Sequence, residues 1–119
     1  MKIFLTAGDK DRFLRKLLDT LKIGHKNAIT SAEMARRIGA EDERKVRLLI
    51  RQLIKEGVPV ASAVVAPFGY YVAANQYEAH EYIKTLQNRI DEDTARLADF
   101  SGACAKYNFE IPQQAQLKI

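Results

Sequence analysis

The sequence predicts a mainly α fold of the α+β class, in which three short amphipathic helices and a β-hairpin are followed by one long helix. Three observations carry that prediction. Apolar residues recur at helical spacing in four stretches, Gly closes three of those stretches, and one interval, VPVASAVVAPFGYYVA at residues 58–73, carries no charge and reads as strand, turn, strand.

The first stretch, DKDRFLRKLLDTLKIG at residues 9–24, places Phe13, Leu14, Leu17, Leu18 and Leu21 at spacings of one, three and four, and Gly24 supplies the stop. After the connector HKNAI, TSAEMARRIG at residues 30–39 opens on Thr30 and Glu33, the spacing of a capping box, and ends on Gly39. Met34, Ala35 and Ile38 are its expected inner face, with Glu33, Arg36 and Arg37 outside. EDERKVRLLIRQLIKEG at residues 41–57 repeats Val46, Leu49, Ile50 and Leu53 at i, i+3, i+4 and i+7 and closes on Gly57. Its opposite side carries Arg44, Arg47, Arg51 and Lys55, spaced three, four and four apart, which form one basic stripe along a helix.

Within residues 58–73 the enrichment in Val and Tyr and the turn residues Ala66-Pro67-Phe68-Gly69 predict the hairpin, with Pro59 near the start of its first strand and Tyr70, Tyr71 and Val72 returning along the second. Neighbouring strand residues point to opposite faces, so at most one of the two tyrosines is free for contact. The second and third helices are separated by a few residues, as in a helix-turn-helix, and a hairpin directly after them makes the arrangement winged.

These stretches, AITSAEMARRIG, ERKVRLLIRQLIKEGVPV and GYYVA, resemble the winged helix-turn-helix DNA-binding domains of bacterial and phage regulators, including the N-terminal domain of biotin-repressor-type proteins. The resemblance covers about residues 10–75. It implies that the third helix enters the major groove of double-stranded DNA, that Arg44, Lys45, Arg47 and Arg51 approach the duplex, and that the wing tip, Pro67 and Phe68, rests on the backbone or in the minor groove.

Charge is distributed accordingly: residues 1–75 hold 14 Lys and Arg against 8 Asp and Glu, whereas residues 76–119 hold 5 against 7. A basic first part suits an anionic partner. The DNA-contact set read from the sequence is Ser31, Arg36, Arg37, Arg44, Lys45, Arg47, Arg51 and Lys55, with Ser31 at the capped start of the second helix, Arg47 and Arg51 reaching base edges, and Lys55 on the backbone. Two features point instead to a protein–protein interaction module without intrinsic DNA binding. Glu41, Asp42 and Glu43 stand at the start of the third helix, and no Lys or Arg occurs between Lys55 and Lys84, so the wing has no basic tip.

Residues 76–107, QYEAHEYIKTLQNRIDEDTARLADFSGACAKY, predict one long helix with a heptad. Ile83, Ile90, Leu97 and Cys104 fall at a, and Leu86, Asp93, Phe100 and Tyr107 at d. Ile83, Leu86, Ile90, Leu97 and Phe100 form a seam suited to a homodimer, broken once by Asp93, and Gly102 marks a place where the helix would end or bend. The reading is therefore a winged domain at residues 1–75, a dimerisation helix at 76–107 and a tail at 108–119. In the tail, Phe109, Ile111, Leu117 and Ile119 flank Pro112 and are apolar enough to clip onto the body or the dimer mate.

A chain of 119 residues allows one domain with an appended element. The single Cys104 excludes an internal disulfide and points to a reducing, cytoplasmic setting. The run Ile3-Phe4-Leu5 is too short for a signal segment, and no stretch is apolar enough to span a membrane. No catalytic site, cofactor or metal is expected, because the chain has no nucleophile-base pair and no phosphate-cradling glycine loop, and His25 and His80 have no ligands at metal spacing.

Overall fold

The computed structural model describes residues 12–110, and these form four α-helices and one two-stranded antiparallel hairpin. Helix α1 covers Arg12–Thr20, a 3-10 turn covers His25–Asn27, α2 covers Ser31–Ile38 and α3 covers Glu43–Lys55. Strands β1 (Val60–Ala63) and β2 (Gly69–Val72) follow, and α4 runs from Gln76 to Lys106. The mainly helical α+β class and the long last helix are as the periodicity predicts. The tail residues Ile111, Pro112, Leu117 and Ile119, and the first three residues of the expected first helix, lie outside the described residues.

The chain divides into two compact units, one ending at Tyr82 and the other beginning at Ile83. The first has a single core. Leu14 and Leu17 of α1, Met34, Ala35 and Ile38 of α2, and Val46, Leu49, Ile50 and Leu53 of α3 meet Val58, just after α3, and Val60 and Val72 of the hairpin. Each of the larger of these side chains contributes about 1.5–3 kcal/mol on leaving water. The inward faces read from the spacing of α2 and α3 are buried in full.

Helix ends follow local chemistry. Thr30 caps α2 by accepting from the Glu33 N–H at 3.2 Å, and Asp42 caps α3 by accepting from the Lys45 N–H at 3.0 Å. At the far end of α3, Gly57 N–H donates to the Ile54 carbonyl and Val58 N–H to that of Leu53, both at 3.0 Å, which folds Val58 back onto the core.

Helix α1 ends at Thr20, short of the expected Gly24, because Lys22 and Ile23 are extended: the Lys22 carbonyl accepts from Val72 N–H at 2.9 Å, and Gly24 N–H donates to the Val72 carbonyl at 2.8 Å. The connector holds a second pairing. Ile29 and Tyr70 exchange two backbone bonds, 3.0 and 2.7 Å long, so β2 is bridged on the edge away from β1 as well. The hairpin register pairs Val60 with Val72 and Ala63 with Gly69, which makes Val64–Phe68 a five-residue loop.

Helix α4 starts on a tightly bonded turn. Asn75 accepts from Glu78 N–H at 3.0 Å, while the Glu78 carboxylate accepts from Ala74 N–H at 2.9 Å and His25 N–H at 3.1 Å. These donors hold the Glu78 carboxyl below the usual carboxylate range. The helix then passes through Gly102 without ending, so the long helix predicted over residues 76–107 is unbroken there. A glycine in an exposed helix costs only about 1 kcal/mol, which continuous backbone bonding on either side absorbs. The helix ends at Lys106, and Asn108 just beyond has a left-handed backbone (φ 60) that lets Phe109 N–H donate to the Cys104 carbonyl at 3.0 Å.

Candidate nucleic-acid interface

Helix α3 builds the site because burial of one face fixes the direction of the other. At about 100° per residue, Arg44, Arg47, Arg51 and Lys55 fall within an arc of roughly 80° opposite the buried Val46 and Leu53. All four are exposed, and among the described residues no carboxylate forms an ion pair with any of them. Four positive charges thus stand on one open face. Arg47 also lies where its charge acts on Tyr70 of β2: burial pushes the Tyr70 hydroxyl up, and Arg47 opposes that shift. The hairpin therefore neighbours the middle of the stripe.

Leu48 is 58% exposed on the same face, four residues after Arg44 and three before Arg51. The helical spacing that defines the stripe also places Leu48 beside it. An apolar side chain among arginines gives this surface a part that phosphate does not satisfy.

The remaining residues of the expected set are placed differently. Lys45, expected among the DNA contacts, lies off the stripe and sets its ammonium over the ring of Phe13 in α1, 5.5 Å from the centroid. Ser31 donates its hydroxyl to the Glu43 carboxylate, a contact that ties the start of α2 to the start of α3. Arg36 and Arg37 both bind Glu33: Arg36 approaches with two guanidinium nitrogens, and Arg37 Nε donates to the carboxylate at 2.9 Å. The two guanidinium groups hold the Glu33 carboxyl down to about 2. This group is solvated, so an anion competes for both arginines against a screened pair.

The acidic start of α3 is also accounted for. Asp42 caps the helix and Glu43 takes the Ser31 hydroxyl, so two of the three carboxylates near that end have partners within the fold. The part of the stripe least exposed to like-charge interference with an anion is its middle and far end, Arg47, Arg51 and Lys55.

In the hairpin loop Pro67 and Phe68 are exposed, Phe68 at 58%, and Val64 and Val65 are exposed beside them. This loop is held from below by His25. Its Nε2 lies 3.1 Å from the Val65 carbonyl and 3.2 Å from that of Pro67, and its ring stacks on Tyr71 with centroids 5.2 Å apart. Sequence alone gave no sign of this role, since the partners lie about forty residues away and only the topology brings them together. Tyr71 is buried and Tyr70 half-buried.

On α4, Ile83, Leu86, Ile90 and Phe100 are exposed and Leu97 is half-buried. Among the described residues no group of His, Cys, Asp or Glu could hold a metal ion, and no helix is long and apolar enough to cross a membrane. Comparison with protein-family models, curated proteins and solved structures found no match to this chain.

Proposed function

We propose that the chain is a winged helix-turn-helix protein that binds double-stranded DNA as a homodimer, acting in the cytoplasm as a small bacterial or phage regulator of transcription or replication. In this reading α2 and α3 are the helix-turn-helix, α3 enters the major groove, β1 and β2 form the wing, and α4 pairs two copies. The observation that carries it is the face of α3 on which Arg44, Arg47, Arg51 and Lys55 lie together, exposed and outside any ion pair among the described residues. Such a face neutralises phosphates and releases their counterions, and Arg47 or Arg51 can bridge O6 and N7 of guanine.

The test is fluorescence anisotropy of a mixed-sequence duplex with the parent protein and with a double Arg47→Ala, Arg51→Ala variant whose fold is verified by circular dichroism. Loss of both arginines is expected to weaken binding at least about tenfold, since each phosphate or base contact is worth roughly 1 kcal/mol or more. Equal binding by the two proteins contradicts the reading.

A second reading is favoured by one specific observation: the loop Val64–Phe68 carries three exposed large apolar side chains and no charge. A loop of that kind suits an apolar cleft on a protein partner better than a phosphate backbone. In that case the chain is an interaction module in a phage or bacterial assembly, and Phe68→Ser abolishes partner capture while Arg47→Ala leaves it intact.

A further inference from the structure

The open face of α3 is not purely cationic. At about 100° per residue, Leu48 falls about 40° from Arg44 and about 60° from Arg51, and in the arc of roughly 100° from Arg47 to Leu48 every other residue of the helix is an Arg or a Lys. Leu48 is 58% exposed and takes no part in the core. A leucine alone on a solvated surface needs no cover, but this one stands inside the set Arg44, Arg47, Arg51 and Lys55, so any polyanion that the set binds comes to lie on it. We infer that Leu48 reads the C5-methyl group of a thymine, a proposal that rests on the duplex-binding reading above and adds to it a position of sequence preference.

The chemistry of the major groove selects this partner. Base edges there present nitrogen and oxygen donors and acceptors, and the thymine methyl is the apolar group among them. When α3 turns Arg47 and Arg51 toward guanine edges, Leu48 turns toward the same groove floor, because all three share one side of the helix. The arginines are long enough to reach out to phosphates or bases on either flank, whereas leucine is short and meets what lies directly beneath it. Against a polar edge Leu48 would strip water from a donor or acceptor and return no hydrogen bond, which is unfavourable. Against the methyl, two apolar groups leave water together. Along the helix axis Leu48 stands about 1.5 Å from Arg47 and about 4.5 Å from Arg51. Base pairs follow one another at about 3.4 Å, so the thymine falls within about two base pairs of a guanine read by either arginine.

The test first selects duplexes from a randomised pool with the parent chain, then replaces the thymines of the enriched site one at a time by deoxyuridine, which removes the methyl and keeps every hydrogen-bonding group. Fluorescence anisotropy at fixed salt compares the thymine and deoxyuridine duplexes with the parent and with Leu48→Ala, a substitution at an exposed position outside the core. At one thymine near an enriched guanine, the parent should bind the deoxyuridine duplex about fourfold more weakly, the worth of one buried methyl group. Leu48→Ala should bind the two duplexes alike. A parent indifferent to deoxyuridine at every thymine, a discrimination that Leu48→Ala retains, or a pool with no enriched site overturns the assignment of Leu48 and leaves duplex binding standing. Absence of duplex binding by the parent at low salt overturns both and gives the face to an acidic protein surface.

Discussion

Gly69 is the position at which one methyl group should do the most damage. Its backbone is at φ +128, and a Cβ built there would lie 2.3 Å from both the carbonyl carbon and oxygen of Ile29 and 2.6 Å from the nitrogen of Thr30. Those atoms are backbone, so no side chain can swing aside. Gly69→Ala must therefore separate β2 from residues 29–30, and the two Ile29–Tyr70 hydrogen bonds go with it. At about 1 kcal/mol for each bond and about 1–2 kcal/mol for an alanine at positive φ, the expected loss is about 3–4 kcal/mol. With a urea m-value of about 1–1.5 kcal/mol/M, the unfolding midpoint falls by roughly 2–4 M. The assay is urea unfolding followed by tyrosine fluorescence, since the chain has five Tyr and no Trp and Tyr71 lies in the core. Gly57→Ala is the control: φ there is +100, but a Cβ meets nothing within 4 Å, so only the backbone cost of about 1–2 kcal/mol applies. Equal, small losses in the two variants would refute the close approach of β2 to residues 29–30.

Two further predictions concern α4 and acid. Gly102→Ala should stabilise α4 by up to about 1 kcal/mol, because the position is helical and a Cβ there meets nothing within 4 Å; thermal melts read by far-ultraviolet circular dichroism should shift upward, and a downward shift contradicts a continuous helix. Glu33 and Glu78 are both held below their ordinary value of 4.5, Glu33 to about 2. A depressed carboxyl stabilises the fold above its unfolded pKa and loses that contribution as pH falls through the folded one, so Tm should decline between about pH 4.5 and 2. The decline should be shallower in Glu33→Gln and Glu78→Gln, and an unchanged slope in both would contradict the hydrogen bonds assigned to these carboxylates.

Most of the helical framework was legible because each helix carries its own evidence. Thr30, Gly39 and Gly57 mark ends, and the buried positions of α2 and α3 recur at a spacing that only a helix satisfies. The stripe was legible for the same reason, as the complement of a buried face. What escaped depends on contacts between distant residues. Ile29 makes a single bridge to Tyr70, too short to leave a pattern, and His25 reaches the hairpin loop only because that bridge brings residues 25–29 beside β2. Lys45 is next to Arg44 in the sequence, yet one position along a helix is a rotation of about 100°, enough to set it beside Phe13 and off the stripe. The end of α1 was overestimated because Lys22 and Ile23 fit a helix locally but are drawn into pairing with Val72.

The salt dependence of duplex binding tests the central claim most directly. If the face of α3 meets phosphates through Arg44, Arg47, Arg51 and Lys55, the logarithm of affinity should fall against the logarithm of salt with a slope of roughly −3 to −4 per chain. Arg47→Ala, Arg51→Ala should reduce that slope by about 2. Absence of binding at low salt, or a slope that the double substitution leaves unchanged, would contradict the account and turn attention to Phe68 and a protein partner.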